Sequence, residues 1–266
     1  MSMEKRKFAF GVFVLCATLF FLACRQTGLR LKKQDIIIEN KMCELRDFIS
    51  PSGRTFPLTV SIDIPIVGEQ CMIDSIAVFL NESLYAFFDN GMDCHIPYTE
   101  VYTEDLKRLV PAYRDAYAPF IPDDMELHAF NSDCLDVKMV AQTDTYVTYA
   151  VDRVFMGEGF ETATEWVTFS KTDGHRLNEI ISGKELLRFF EEHPEYRDAT
   201  IWEEIQYERQ EPGWTDKGVA IVGLLVDSLA HQFTLAPGIF EDARYPLSAI
   251  KPYLTPEAQT MVSLPR

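Results

Sequence analysis

The segment FPLTVSIDIPI, residues 56–66, is the clearest structural signal in the chain, and the fold can be built outward from it. Aliphatic residues alternate with polar ones along this segment, which predicts a strand with one buried face. The aliphatic positions are Leu58, Val60, Ile62 and Ile64. Pro57 and Pro65 stand near its two ends, and because proline cannot donate to a ladder of hydrogen bonds, they predict an edge strand.

A helix is expected directly after this strand, with a second strand before it. From Met72 to Phe88, apolar residues recur at a helical period, and Asn90-Gly91 ends the pattern. The residues predicted to share the buried face are Ile73, Ile76, Leu80, Leu84 and Phe87. Residues 35–40 predict the preceding strand, and residues 103–117 predict a further helix, kinked at Pro111.

The second half of the chain begins with a block of strands and continues with shorter elements. Three segments rich in β-branched and aromatic residues predict strands at 125–140, 145–156 and 162–170. Thr172-Asp173-Gly174 predicts a turn, and Ser182-Gly-Lys-Glu185 predicts a capping box that starts a helix. The remaining expected elements are a short helix at 202–207, a hairpin of strands 219–226 and 230–235, a strand at 244–247 and a last helix from Thr255-Pro256.

The order of these elements predicts the fold class and the domain organisation. Because strands come in blocks and not in strict alternation with helices, the chain is expected to be α+β. We expect two lobes, divided near residue 142, each an antiparallel sheet with helices packed on one face. The predicted organisation is a signal peptide at 1–23, a tether at 24–33, an N-terminal lobe at 34–142 and a C-terminal lobe at 143–266.

The N-terminus predicts export and lipidation. Three basic residues precede an apolar run from Phe8 to Ala23. The run is about 16 residues long, short of the roughly 20 that a membrane-spanning helix needs. Leu22-Ala23-Cys24 resembles a bacterial lipobox, which makes Cys24 the expected lipid-carrying residue, although Phe21 replaces the usual leucine. Secretion without a lipid and an uncleaved anchor are the alternatives.

Four cysteines would remain between the lipidation site and the C-terminus: Cys43, Cys71, Cys94 and Cys134. An even number in an oxidising compartment predicts two disulfides. The helix that begins beside Cys71 would be about 25 Å long, which argues against a bridge from Cys71 to Cys94. If residues 34–43 and 56–66 form a hairpin, Cys43 lies at the end where the helix finishes. Among the three possible pairings, we therefore favour Cys43–Cys94 with Cys71–Cys134.

The charge balance bears on the class of partner. The chain has 25 basic and 41 acidic residues, a net charge of −16. Loss of residues 1–23 would remove three basic residues and one acidic residue, leaving −18. Such a surface repels nucleic acid and anionic lipid and attracts cationic partners. Solubility alone is the alternative explanation.

No sequence motif predicts a catalytic, metal or cofactor site. The five histidines lack metal-ligand spacing, and neither a G-x-S-x-G elbow nor a phosphate-binding loop occurs. His128 and His231 lie in predicted strands, His95 and His175 lie in predicted loops, and His193 lies near the solvent-facing end of a helix. Aromatic residues on adjacent strands predict core packing, with an aromatic binding face as the alternative. They are Tyr146, Tyr149, Phe155, Trp166 and Phe169.

Three stretches of the second lobe resemble a known extracytoplasmic domain of unknown function. They are the strand from Tyr146, the segment WVTFSKTDG at 166–174 with Leu177 and the Ser182 helix, and the segments GLLVDS at 223–228 and RYPLSAIKPYL at 244–254. Residues 56–88 resemble the lobe that usually precedes it. This domain occurs in the RsiV-type anti-sigma factors that sense lysozyme, in some polysaccharide deacetylases and in many lipoproteins of the Bacteroides group.

The sequence differs from that family's pattern at several points, and these differences exclude some of the family's functions. Where members often carry a Gly-Gly-Ala-His type loop, residues 156–160 read MGEGF, without a histidine. Seven residues precede the apolar run, too few to hold a sigma factor, and no deacetylase lobe is present. The resemblance and the charge together predict a non-enzymatic, lipid-anchored protein on the periplasmic side of the cell envelope. Its expected partner is cationic or glycan-associated, such as a lysozyme-like muramidase. A glycan-modifying envelope enzyme or accessory factor, and a purely structural component, are the alternatives.

Overall fold

The computed structural model describes residues 34–44, 48–49, 55–56, 58–91, 133–156, 160–197, 202–203, 222–236 and 239–262. In these residues the fold is α+β, as predicted, with a five-stranded sheet, a three-stranded sheet and a short two-stranded ladder. The predicted signal peptide, the tether and the helix at 103–117 lie outside the described residues, as do Cys24, Cys94, His95 and His128.

The five-stranded sheet has the order β1-β4-β5-β6-β7. Its strands are β1 (Ile37–Glu44), β4 (Leu58–Val67), β5 (Asp133–Gln142), β6 (Tyr146–Met156) and β7 (Phe160–Ser170); the short ladder pairs β2 (Phe48–Ile49) with β3 (Thr55–Phe56). Neighbouring strands of the large sheet are antiparallel except β4 and β5, which are parallel. A parallel pair requires a long crossover, and the chain between residues 67 and 133 supplies it. The sheet is therefore mixed, where we had expected it to be purely antiparallel.

The segment with alternating aliphatic residues forms β4, which lies inside the sheet and not at its edge. Pairing with β5 covers only Leu58–Ile62, so Pro65 lies beyond it. On the other side, the register with β1 shifts between Ile37 and Ile38, opposite this proline. Because proline is tolerated where a ladder ends or bulges, Pro65 fits an interior strand, which corrects the predicted edge position.

The first core lies between one face of this sheet and helix α1 (Gln70–Tyr85), which continues as a wider helical turn over Ala86–Gly91. The predicted helical face is buried at Ile76, Leu80, Leu84 and Phe87, whereas Ile73 is half-buried. Val60 and Ile62 of β4 are buried against it, as their alternation predicted. Residues 70–88 are long and apolar enough to cross a bilayer, but their apolar side packs into this core.

The second core lies under the three-stranded sheet, whose order is β10-β9-β8. Its elements are β8 (Val222–Leu224), β9 (Ser228–Ala236), β10 (Ile239–Pro246), α2 (Gly183–Glu192), α3 (Leu247–Ile250) and α4 (Pro256–Val262). Both predicted helix starts are confirmed. The Ser182 hydroxyl accepts a hydrogen bond from the backbone N–H of Glu185 at 3.3 Å. The Thr255 hydroxyl accepts one from the backbone N–H of Ala258 at 3.4 Å.

Strands β6 and β7 connect the two cores. The Thr148 hydroxyl donates to the carbonyl of Leu224 at 2.6 Å, and the backbone N–H of Leu224 donates to the Thr168 hydroxyl at 3.2 Å. On β6, Tyr149 belongs to the first core and Tyr146 to the second. Because β5 and β6 pair on either side of residue 142, one sheet runs through the position where we expected the lobes to divide.

Candidate functional site

The cross-strand register gathers charged side chains on the sheet face opposite α1. Asp136 of β5 lies directly opposite Asp152 of β6. Asp63 alternates with the buried Ile62 and therefore points to the same face, as does Lys138, two residues beyond Asp136. We call Asp63, Asp136, Asp152 and Lys138 the acidic strip.

Asp63 is the buried carboxylate of the strip, and both its oxygens have fixed partners. The Asn40 side-chain amide donates to Oδ1 at 2.9 Å, and the backbone N–H of Met139 donates to Oδ2 at 3.0 Å. The parallel ladder between β4 and β5 ends at Ile62, so this carboxylate takes the place of a strand carbonyl for Met139. The alternating pattern alone had placed Asp63 on an exposed face.

Lys138 is surrounded by the three carboxylates of the strip. It forms an ion pair with Asp136, and the hydrogen bond between them raises the pKa of Lys138 against the opposing effect of desolvation. The charges of Asp136, Asp152 and Asp63 raise it further. The Oδ1 atom of Asp136 is buried and accepts no hydrogen bond within the described part of the chain. With three carboxylates and one ammonium, the strip is net negative.

A chain of hydrogen bonds extends the strip towards the three-stranded sheet. Asp152 Oδ1 accepts from the Thr164 hydroxyl at 2.7 Å, and the backbone N–H of Thr164 donates to Gln232 Oε1 at 2.9 Å. Gln232 in turn donates from Nε2 to Asp242 Oδ1 at 3.0 Å. These bonds connect a fourth carboxylate, that of the exposed Asp242, to the strip. Two exposed apolar side chains of the same sheet are Met42, on β1, and Val140, on β5.

The sequence did not single out these four residues, because 41 acidic residues made each carboxylate uninformative alone. Asp136 and Lys138 are two residues apart in a predicted strand, and this spacing already predicts that their side chains share one face. The register between β5 and β6 is needed to place Asp152 beside Asp136. The parallel pairing of β4 with β5 is needed to bring Asp63 to the same group.

The histidines that the structure describes occupy three different environments. His231 is buried in β9, as its predicted strand position suggested, and desolvation lowers its pKa to about 4. His193 follows α2, and its Nδ1 lies 3.2 Å from Glu195 Oε1. His175 is exposed, but Asp173 and Glu257 contact its two ring nitrogens. Among the residues that the structure describes, no group of three or more His, Cys, Asp or Glu could hold a metal ion.

The cysteine positions correct one predicted disulfide. Cys134 lies opposite Thr59 near the start of β4, whereas Cys71 follows the far end of that strand in the first turn of α1. At roughly 3.3 Å per residue, the strand keeps them roughly 25 Å apart, and a disulfide allows about 7 Å between Cα atoms. The structure has no bond between Cys71 and Cys134. The Cys43–Cys94 pairing involves a residue outside the described ones and stays a prediction.

The aromatic residues on β6 and β7 pack in the interior, as predicted. Tyr146, Tyr149 and Phe169 are buried, and the rings of Tyr149 and Phe169 contact Phe79 of α1 edge to face. Trp166 is also buried and packs against Ala150 and Ala230. The alternative of an aromatic binding face is therefore not supported at these four positions, and the side chain of Phe155 lies outside the described ones.

This fold is similar to that of a DUF3298 family member from Bacteroides fragilis, with a TM-score of 0.52 and 16% identity over 86% of this chain and 96% of that chain. A DUF3298 family protein from Pseudomonas aeruginosa gives a TM-score of 0.44 and 8% identity, over 86% of this chain and 98% of that one. No protein-family model and no curated protein matches the sequence. The Bacteroides fragilis protein, a member of a domain family of unknown function, therefore shares this fold. The RsiV-type assignment stays a prediction.

Proposed function

We propose that this chain is a lipid-anchored protein of the cell envelope that binds a cationic protein at the acidic strip, without catalysing a reaction. The observation that carries the proposal is the grouping of three carboxylates around one ammonium on one sheet face. Complementary charge steers a cationic partner towards such a surface and fixes its orientation. Cys24 would carry the lipid, on the periplasmic side.

The geometry of the strip suits recognition of arginine and lysine side chains. Asp63 and Asp152 are held by hydrogen bonds from Asn40, Met139 and Thr164, so little side-chain freedom is lost on binding. Asp152 is only half-buried, so its carboxylate can accept a charge-assisted hydrogen bond from a guanidinium group. The resemblance to lysozyme-sensing proteins makes a lysozyme-like muramidase the most concrete partner.

One observation favours a second candidate, a glycan-modifying envelope enzyme. Asp136 and Asp152 face each other in different surroundings, the first paired with Lys138 and the second bonded by Thr164. Two carboxylates in contrasting environments are the arrangement that acid–base catalysis uses. In this alternative, Asp136 and Asp152 would be the reacting pair.

The test is the affinity for hen egg-white lysozyme, a strongly cationic muramidase, measured by calorimetry. The double variant D136N/D152N removes two charges at constant size, and we expect it to weaken binding about tenfold, or about 1.4 kcal/mol. The wild-type affinity should also fall between about 0.01 M and about 1 M salt, because the screening length shrinks from about 30 Å to about 3 Å.

The matched control is E179Q/E191Q, which removes two exposed carboxylates outside the strip. We expect it to bind nearly as well as the wild type. Equal losses in both double variants would mean that net charge alone matters, and no binding at either salt would remove lysozyme as the partner. Turnover of peptidoglycan that disappears in D136N/D152N would instead support the enzyme.

A further inference from the structure

The turn after β7, residues 171–175, holds together segments that are far apart in the chain. The ammonium of Lys171, almost completely buried, lies 3.3 Å from Asp35 Oδ1 near the N-terminal end of the described chain. Gly174, at a φ of 80°, lies against the backbone of Cys71, where α1 begins. His175 reaches Glu257 in the first turn of α4. This turn therefore connects the segment before β1 with helices α1 and α4.

Both ring nitrogens of His175 contact carboxylates. Nδ1 lies 2.6 Å from Asp173 Oδ1, and Nε2 lies 2.5 Å from Glu257 Oε1. A neutral imidazole carries one N–H and can donate only one of these hydrogen bonds, whereas an imidazolium donates both. The two contacts can therefore be hydrogen bonds at the same time only when the ring is charged.

We propose that His175 is a pH-responsive latch that holds helix α4 against the 171–175 turn while its ring is protonated. The latch acts on a helix that is built into the second core. Ala258 of α4 is completely buried, and the carbonyl of Met261 accepts from the Thr145 hydroxyl at 2.8 Å. Release of the latch loosens this helix and gives water access to the apolar surface beneath it.

The charged groups around the ring all favour the protonated state. Asp173 faces it from the turn, and Glu257 faces it from α4. The neighbouring Arg176 instead pairs with Glu82 of α1, and Lys171 points to Asp35. The α1 groups packed against Gly174 are the backbone of Cys71 and the hydroxyl of Ser75, and neither is charged.

The direction of the pH effect follows from these partners. The hydrogen bond to Asp173, supported by the one to Glu257, raises the pKa of His175 above its ordinary value of about 6.5. A raised pKa in the folded state means that the latch contributes fully below about pH 6.5 and is lost as the pH rises through the folded value. Helix α4 is therefore held most tightly at mildly acidic pH.

Hydrogen exchange on the full-length chain tests this proposal. Mass spectrometry follows peptides that cover residues 256–262 between about pH 5 and about pH 8, with rates corrected for the intrinsic pH dependence of exchange. In the wild type, we expect protection of α4 to fall several-fold across this range. In H175Q, which keeps a polar side chain but cannot take up the proton, protection should be low and independent of pH.

The control variant is H193Q, because His193 lies outside the turn and, among the described residues, has a carboxylate on Nδ1 alone. It should keep the wild-type profile. E257Q, which removes the α4 partner alone, should reduce the pH dependence and keeps the test decisive if H175Q folds poorly. A wild-type pH profile in H175Q, or protection of α4 that does not change with pH in the wild type, would overturn the latch.

Discussion

Replacing Gly223 with alanine is expected to destabilise the protein by about 3 kcal/mol, because the site has no room for a methyl group. A Cβ at this position would lie 2.3 Å from Cβ and 2.7 Å from Cγ of Trp166. The tryptophan cannot retreat easily, because it is buried against Ala150 and Ala230 between the two sheets. Urea unfolding followed by circular dichroism measures the loss.

The matched substitution is Gly68→Ala, at the end of β4. Its Cβ would meet Cγ1 of Ile36 at 3.2 Å, an atom of a flexible side chain that can shift by a few tenths of an ångström. We expect a change below about 1 kcal/mol. Equal losses in the two variants would show that the contact between Gly223 and Trp166 does not limit the packing of the sheets.

Replacing Phe189 with alanine is expected to cost about 3–5 kcal/mol, the range for truncating a buried phenylalanine. This ring is completely buried in α2. Its centroid lies 5.4 Å from those of Tyr245 and Tyr253 and 5.5 Å from that of Tyr196. The substitution therefore leaves a cavity at the centre of the second core. Chemical denaturation gives the difference in the free energy of unfolding.

The conservative variant Phe189→Leu keeps most of the volume and should lose about 1 kcal/mol. Because β6 contributes Tyr149 to the first core and Tyr146 to the second, the described residues should unfold in one transition. Two separate transitions in Phe189→Ala would show that the cores are independent, as expected for lobes that divide near residue 142.

Local patterns predicted the elements well, because their causes are local. The alternation in residues 56–66 reflects a strand with Val60 and Ile62 buried on one face. The helical spacing of apolar residues after Met72 reflects a helix whose apolar side packs against the sheet. The hydroxyls of Ser182 and Thr255 cap helices within a few residues of their own positions. Each of these signals is contained in one short stretch of sequence.

The arrangement of the elements was less predictable, because it depends on register between distant segments. The interior position of Pro65 depends on the end of the β4–β5 ladder and on the register shift between β1 and β4. The buried carboxylate of Asp63 bonds to Met139, 76 residues away. The contact of His175 with Glu257 spans 82 residues. No short pattern encodes these pairs, so the acidic strip and the latch emerge only from the folded chain.

Amine footprinting of the complex tests the central claim most directly, that a cationic partner covers the acidic strip. Lysines are acetylated with and without lysozyme at low salt, and modification is read by peptide mass spectrometry. Lys138 lies within the strip, whereas Lys184 is an exposed lysine on α2 and serves as the internal reference. The account predicts that lysozyme protects Lys138 and leaves Lys184 unchanged. Bound lysozyme that leaves Lys138 as reactive as in the free protein would contradict it.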